Sequence, residues 1–268
     1  MRRLGFFALV LCLLVITTAC HSGRNCDCEV HRAETTLRIA AAASLEQVLE
    51  REIIPLFEAE HGGIRVQGTY GGSFYLQTQI EHGLETDLFF SAALSAMTDL
   101  EAAGLVQGDT VTPLLENRLV LIAPAGAEST VTGFHDILNA ETIAIGDPAT
   151  VPAGRYAEEV FTHLGIRDAV QERASFGTSV SAVLQWVATG NADAGVVYAT
   201  DAALTDDVII IAEAPPDSLA TRIVLPVGMV TATEHESAAR LFLDFLQTPE
   251  VLAIFETYGF TAYSQGRG

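Results

Sequence analysis

The fold that the sequence predicts is decided by the stretch GDPATVPAGRY, residues 146–156. It follows the short β-branched run TIAI, residues 142–145, which is typical of a buried strand, and it leads into an amphipathic helix from about Ala153 to Leu164. Pro152 suits the first turn of that helix, because the N–H that proline lacks would have no partner there. The two small residues after it cannot cover the free amides behind them. The segment therefore predicts a bare helix N-terminus, whose N–H groups and partial positive charge can bind an anion.

The composition predicts an acidic globular protein. The chain has 268 residues, of which 49% are apolar and 18% charged, which is ample for packed cores. Its 34 acidic and 14 basic residues give a net charge of −20. This charge argues against a nucleic-acid partner and against a polybasic contact with anionic lipid. A small anionic ligand remains compatible with it, because hydrogen-bond donors in a dry pocket act at short range while surface charge is screened by salt.

The N-terminus has the features of an export signal. Residues 1–3 carry two arginines, residues 4–16 are apolar, and small residues precede Cys20. The apolar run is too short for a comfortable membrane span. Residues 1–19 are therefore predicted to be a signal peptide, and residues 20–35 a flexible tether. Ala19-Cys20 also resembles the end of a bacterial lipobox, which implies that Cys20 is the lipid-modified first residue of the mature protein. Thr17 replaces the usual aliphatic residue and leaves cleavage without lipidation open.

The remaining cysteines do not predict a metal site. Cys26 and Cys28 lie in the polar tether near His21 and His31. A C-x-C pair flanked by distant histidines is not a typical zinc spacing, so no cation ligands are assigned. Whether the two cysteines pair with each other is left open. No cysteine follows Cys28, so no thiol or disulfide chemistry is expected in the folded part of the chain.

Segments with strand and helix patterns alternate from residue 36 onward, which predicts an α/β fold with parallel sheets. Apolar runs at 119–123 and 223–230 are interpreted as crossings between two lobes. Lobe 1 is predicted to comprise residues 36–117 and 225–268, and lobe 2 residues 118–224. Each lobe is expected to be a mainly parallel sheet flanked by helices, with a ligand cleft between the lobes.

Four predicted helix N-termini, two in each lobe, should converge on this cleft, because ligands of open parallel sheets bind beyond the carboxyl ends of the strands. These termini lie near Ser44, Ser73, Ala153 and Val180. Each contributes roughly half a positive charge, so the four oppose about two negative charges. Tyr198, which leaves a strand of lobe 2, can add a phenol O–H. The sequence thus predicts a dianion site without lysine or arginine.

An ordered set of motifs resembles the molybdate-binding periplasmic proteins, the solute receptors of an ABC importer. The motifs, from about Leu37 to the C-terminus, are AAASL at 41–45, GLETDLFFSA at 83–92, GDPATVPAGRYAEE at 146–159, GVVYATDA at 195–202 and FETYGF at 255–260. The resemblance implies the two-lobed type II periplasmic-binding-protein fold. It also implies an extracytoplasmic monomer that captures molybdate or tungstate and delivers it to the transmembrane subunits of an ABC permease. The oxyanion is a ligand in this family, and no cofactor is implied.

The resemblance also implies the residues that hold the oxyanion. They are Ser44 through its hydroxyl and amide, Ser73, the backbone amides at Ala153 and Val180, and the Tyr198 hydroxyl. The helix-terminus argument arrives at the same groups. Two departures from the family pattern occur, at Gly71-Gly72-Ser73-Phe74 and at Ser179-Val180-Ser181.

Several alternatives stay open at this stage. Ser44, Ser73 and Ser179 could serve only as helix caps, and Arg155 could reach the anion or stay exposed to solvent. A receptor of the same architecture could bind sulfate or phosphate, or the fold could belong to a signalling or adhesion lipoprotein without a ligand. A secreted serine hydrolase is a distant alternative, since the sequence lacks a G-x-S-x-G elbow, an H-E-x-x-H motif and a Walker-type loop. We therefore do not expect an enzyme.

Overall fold

Two sheets flanked by helices make up the folded part of the chain. The computed structural model describes residues 34–126 and 129–264. The predicted signal peptide and residues 20–33 of the predicted tether, with Cys20, Cys26 and Cys28, lie outside the described residues, whereas Thr35, the last residue of that tether, already belongs to the first strand. The described residues belong to one compact unit. Within the described ranges, every helix is too short or too polar to cross a bilayer.

Three of the strands coincide with the apolar runs that the sequence shows at 119–123, 142–145 and 223–230. The strands are β1 Thr35–Ala42, β2 Ile64–Gly71, β3 Leu88–Phe90, β4 Thr112–Asn117, β5 Leu119–Pro124, β6 Ile143–Gly146, β7 Ala174–Gly177, β8 Ala194–Tyr198, β9 Val208–Glu213, β10 Ile223–Met229 and β11 Thr261–Ala262. Every residue of β8 and of β10 is buried. Strands that are buried on both faces read as continuous apolar runs, which is why the sequence locates them well.

The helices pack on both sides of the sheets. They are α1 Glu46–Val48, α2 Ile54–Glu60, α3 Ser73–Glu81, α4 Leu94–Ala102, α5 Pro152–His163, α6 Arg167–Gln171, α7 Val180–Ala188, α8 Ala199–Ala202, α9 Glu236–Leu246 and α10 Pro249–Thr257. A wide π turn, Leu49–Ile53, joins α1 to α2. Pro55 follows it, and this wide turn accommodates a residue that cannot donate the usual helical hydrogen bond.

The sheet order separates the chain into two halves. Six strands form one sheet in the order β11-β4-β10-β3-β1-β2, and five form the other in the order β7-β6-β8-β5-β9. We name the part around the six-stranded sheet lobe 1 and the part around the five-stranded sheet lobe 2. The α/β fold predicted from the sequence is confirmed. The exact lobe bounds stay a prediction, although β10 begins two residues before the expected return at residue 225.

Both sheets are mixed, which corrects the expectation of mainly parallel sheets. β1 pairs in parallel with β2 and β3, and β6 with β7 and β8. In contrast, β10 is antiparallel to β3 and β4, and β5 is antiparallel to β8 and β9. Parallel neighbours require a long crossover connection. β5 and β10 enter their sheets directly from the other lobe and have no such crossover, so they run against their neighbours.

Two connections join the lobes. Arg118 alone separates β4 from β5, and residues 214–222 lead from β9 to β10. At the first connection, the Asn117 side chain donates to the Thr200 hydroxyl over 2.8 Å and accepts from the Arg118 amide over 2.8 Å. A buried amide that is bonded on both sides fixes the direction in which the chain leaves lobe 1.

The GDP loop, residues 146–151, is shaped by Asp147. The amides of Thr150 and Val151 donate to the carbonyl oxygen of Asp147 over 3.0 and 2.7 Å, and the amide of Ala149 donates to its carboxylate over 2.9 Å. Aspartate favours such turns because its short side chain can bond to backbone N–H groups two residues ahead. The loop is thus closed by its own residues and delivers Pro152 to the first position of α5.

Gly154 allows α5 to start directly against the end of β6. A Cβ atom at this position would lie 2.0 Å from the carbonyl oxygen of Gly146. No side chain can be fitted there without moving the loop or the helix. Backbone packing therefore requires glycine at position 154.

We expect Gly154→Ala to lower the free energy of unfolding by about 2 kcal/mol or more, because the added methyl group collides with the backbone. Gly62→Ala is the matched control, since a Cβ atom at Gly62 meets nothing within 4 Å. Chemical denaturation of both variants measures the difference. Equal midpoints for the two variants would contradict the packing argument.

Candidate anion-binding site

A small cavity lies between the lobes and is lined by both of them. Its lining residues are Ala42, Ala43, Ser44, Gly71, Gly72, Ser73 and Ala92 from lobe 1, and Val151, Pro152, Val180 and Tyr198 from lobe 2. Four of the five predicted site residues are in this set. The fifth, Ala153, is fully buried directly behind Pro152.

The size of the cavity limits what it can hold. The volume that the centre of a water molecule could occupy inside it is about 10 Å³. Such a space suits one compact guest about 5 Å across and excludes a sugar or an amino acid. The cavity therefore has room for a guest no larger than a water molecule or a small ion.

Two hydroxyl groups at this cavity lack partners. The hydroxyl oxygens of Ser44 and Tyr198 are both buried, and neither has a hydrogen-bond partner among the described residues. Leaving a buried hydroxyl unpaired costs about 1–3 kcal/mol. Two such groups on opposite lobes of one cavity indicate that a ligand accepts from both.

Ser73 presents a third hydroxyl, and its geometry leaves the proton available. The side chain is fully buried, and its oxygen accepts from the amide of Ala92 over 2.9 Å. A hydroxyl that already accepts one bond can still donate its own hydrogen. Ser73 can therefore donate to an anion while the Ala92 bond holds its oxygen in place.

The serines differ in whether they cap helices. Ser179 is a cap, since its hydroxyl accepts from the amide of Ala182 over 3.2 Å. Ser44, for which the sequence leaves a capping role open, is not an N-cap: the chain leaves β1 through a 3₁₀ turn, Ala43–Leu45, that places Ser44 inside the turn. Ser73 is the first residue of α3, after the cap residue Gly72. The hydroxyls of Ser44 and Ser73 are thus not used for capping.

Backbone amides complete the donor set. The first N–H groups of a helix have no acceptor within the helix. Ser73 and Val180 begin α3 and α7, and Ala153 is the second residue of α5. Across the two described ranges, the N–H groups of Ser44, Ser73, Ala153 and Val180 donate to no other backbone group. Four backbone segments therefore bring free donors to the region between the lobes.

The cavity is electrically neutral but rich in donors. Its lining contains no arginine, and the chain contains no lysine. Burial raises the pKa of Tyr198 well above its usual range, and the nearby Tyr156 and Asp201 raise it further. The phenol consequently stays protonated and acts as a donor. Helix N-termini and hydroxyls supply the positive potential that an anion requires.

Asp201 is a buried carboxyl beside this site that the sequence analysis did not identify. Its Oδ2 atom accepts from the amide of Tyr198 over 3.2 Å. Burial raises the pKa of Asp201 to about 7, against the lowering effect of that bond. The position of Asp201 three residues after the predicted ligand Tyr198, at the start of a short helix, is the sequence signal that could have identified it.

Arg155 lies outside the lining of the cavity. Its guanidinium carbon stands 3.6 Å from the centroid of the Phe74 ring, and the residue is exposed to solvent. Of the two alternatives left by the sequence, exposure is the one observed. The contact with Phe74 joins lobe 2 to lobe 1 and was not expected from the sequence.

The fold and the cavity define a two-lobed solute-binding protein. The sequence profile of the family described as bacterial extracellular solute-binding protein matches residues 37–261, and the chain belongs to this family.

Among its relatives, YvgL of Bacillus subtilis, assigned as a substrate-binding lipoprotein of an ABC transporter, is 40% identical over 97% of this chain and 99% of its own. The molybdate-binding protein ModA of Haemophilus influenzae is 34% identical over 86% of this chain and 91% of its own. The periplasmic molybdate-binding protein of Azotobacter vinelandii superposes with a TM-score of 0.73 at 25% identity, covering 85% of this chain and 100% of that one.

Asp201 should make stability depend on pH in a defined direction. Its pKa is about 7 in the folded protein and 3.8 as the unperturbed value, so its contribution to stability is complete below pH 4 and is lost as the pH rises through 7. Between these pH values, Asp201 should lower the free energy of unfolding of the wild type by on the order of 1–4 kcal/mol. We expect Asp201→Asn to lack this pH-dependent loss.

Denaturant titrations of the wild type and of Asp201→Asn at pH 4.5, 6 and 8 measure this slope. The exposed Asp206→Asn is the control and should keep the wild-type slope. If Asp201→Asn kept the same slope as the wild type, the carboxyl would not titrate in this range.

Proposed function

We propose that this chain is the substrate-binding protein of an ABC importer and that it captures molybdate or tungstate outside the cytoplasm. The observation that carries this proposal is the pair of buried, unpartnered hydroxyls, Ser44 and Tyr198, that face one ion-sized cavity from opposite lobes. The family and the ModA relatives support it. The lobes are proposed to open and close like a hinge, so that the ligand favours the state in which both donate to it.

The proposed ligands of the oxyanion are the hydroxyls of Ser44, Ser73 and Tyr198 and the amides of Ala153 and Val180. A tetrahedral dianion carries four oxygens that accept hydrogen bonds, and the cavity offers donors from both lobes. Bonds from neutral groups to a charged oxygen are stronger than neutral pairs. Selectivity against sulfate then follows from the size of the cavity, since the charge and shape of the two anions are alike.

The rest of the proposal concerns delivery and anchoring. The chain is proposed to act as a monomer that hands the anion to the transmembrane subunits of a permease, without catalysing a reaction. We further propose that Cys20 carries a lipid that holds the protein at the outer face of the cytoplasmic membrane. The export-signal pattern and the lipoprotein assignment of YvgL support this anchoring.

Isothermal titration calorimetry tests the ligand. We expect wild-type protein to bind molybdate more tightly than sulfate or phosphate. Tighter sulfate or phosphate binding would favour a receptor of the same fold for that anion. A flat trace with every oxyanion would favour a protein that has lost its ligand.

In the same assay, Ser44→Ala and Tyr198→Phe should each weaken molybdate binding by about 10- to 100-fold, the effect of one lost charged hydrogen bond. Neither variant should lower the ligand-free thermal midpoint, because the removed hydroxyl has no protein partner. Ser181→Ala, an exposed serine beside Val180, is the matched control. Unchanged affinity in both hydroxyl variants would remove these side chains from the site.

Cys20→Ser should release the protein from the membrane, since a serine cannot carry the thioether-linked lipid. Expression of both forms in a bacterial host, followed by membrane fractionation and mass determination of the mature N-terminus, measures this. Wild-type protein with an unmodified N-terminus in the soluble fraction would contradict lipidation and indicate ordinary signal cleavage.

A further inference from the structure

The lobes contact each other beside the cavity through the GDP loop. The carbonyl oxygen of Thr150 in lobe 2 accepts from the amides of Phe74 and Tyr75 in lobe 1, both over 3.2 Å. A Cβ atom on Gly72 would lie 2.3 Å from this same oxygen. The first turn of α3 therefore docks directly on the loop that begins α5.

One side chain from each lobe extends this contact. The Arg155 guanidinium of α5 lies over the Phe74 ring of α3, with 3.6 Å between the guanidinium carbon and the ring centroid. Phe74 is 6% exposed and packs in the core of lobe 1. A cation over an aromatic face is attracted by the negative potential of the ring. The exposed arginine of one lobe thus covers a core residue of the other.

The surroundings explain why Arg155 is available for this contact. Glu158 and Glu159 lie three and four residues further along α5, at the spacing of helical ion pairs. Glu158 instead bonds to Arg167 over 3.1 Å, and Glu159 accepts from the amide of Ala220 over 3.0 Å. Among the described residues, the Arg155 side chain has no ion pair or hydrogen bond. In a chain with a net charge of −20, an arginine whose side chain contacts an aromatic ring and not a carboxylate is a specific arrangement.

We propose that Arg155 and Phe74 are positioning residues for anion binding, a clasp that holds the lobes together while Ser44 and Ser73 face Tyr198 across the cavity. This inference rests on the proposed function. The clasp touches no atom of the anion. It acts only on the equilibrium between the open conformation, in which the lobes are apart, and the closed conformation, in which they are joined. A ligand that binds the joined state gains apparent affinity in proportion to the population of that state.

The clasp differs from simple attraction between Arg155 and a dianion. Attraction depends on charge alone, whereas the stack needs the planar guanidinium and the ring. Arg155→Lys keeps the charge but loses the plane, and Phe74→Leu keeps an apolar side chain but loses the ring. Because the two residues act as one contact, removing both should cost no more than removing either.

Molybdate titration calorimetry and stopped-flow dissociation of Arg155→Ala, Arg155→Lys, Phe74→Leu and the Arg155→Ala/Phe74→Leu pair test the proposal. We expect each single alanine or leucine variant to bind about 3- to 10-fold more weakly, with faster dissociation, and the double variant to match them. The lysine variant should lose most of the same affinity. The ratio of molybdate to tungstate affinity should not change.

Arg240→Ala and Phe176→Leu are the controls. Arg240 pairs with Glu236 on α9, and Phe176 is an exposed aromatic residue on β7. Both should keep wild-type affinity. The clasp is overturned if Arg155→Ala binds as the wild type does, if Arg155→Lys fully restores the affinity lost in Arg155→Ala, or if the losses in the double variant add.

The clasp and the proposed function fail in different ways. If the wild type binds no oxyanion, the proposed function fails whatever the variants do. Small-angle X-ray scattering of the ligand-free protein then tests the clasp by itself. A larger radius of gyration for Arg155→Ala than for Arg240→Ala supports the clasp, and equal radii overturn it.

Discussion

Hydrogen-bond donors without protein acceptors, buried where two lobes meet, are the constraint on which the rest of the structure depends. Ser44 and Tyr198 each bury an unpaired hydroxyl, and the first turns of three helices add free amides around them. An arrangement of this kind is unfavourable in an isolated fold, because every such group loses its bonds to water. The apolar sheets on either side offset that cost, since strands such as β8 and β10 are buried throughout. The fold thus stabilises a site whose hydrogen-bond donors find acceptors only when a ligand is bound.

The same arrangement explains how a strongly acidic chain can hold an anion. Among the described residues, most carboxylates lie at the surface, where water and salt screen them, and Asp87 and Asp201 are buried. The cavity contains only neutral donors, so its positive potential comes from oriented N–H and O–H groups at short range. Asp201 is the carboxyl that could oppose this, and its burial favours the neutral form up to about pH 7. A fixed cation in the lining is therefore unnecessary, and none is present there.

The sequence predicted those features that depend on local pattern. Strands with continuous apolar runs, the start of α5 at Pro152 and the junctions at Ser73 and Val180 all follow from neighbouring residues. The structure differs from the prediction where the sequence pattern is weak or where the cause of an arrangement lies far away in the chain. β4 contains Pro113 and Glu116 and shows no alternation, β11 has two residues, and α6 has five. The antiparallel pairings of β5 and β10 follow from connections between lobes, which no local window contains.

The candidate site divides in the same way. Serines at strand-to-helix junctions are visible in the sequence, but whether a serine caps a helix or faces a cavity is decided by where the chain turns, as Ser44 and Ser179 show. The contacts between lobes were invisible, because Thr150 meets Phe74 across a distance of 76 residues in the chain. Beside the cavity they include two backbone bonds and one stacked arginine. Each is individually weak, so the contacts that the ligand makes with both lobes can decide the equilibrium, and the joined state can still open to release it.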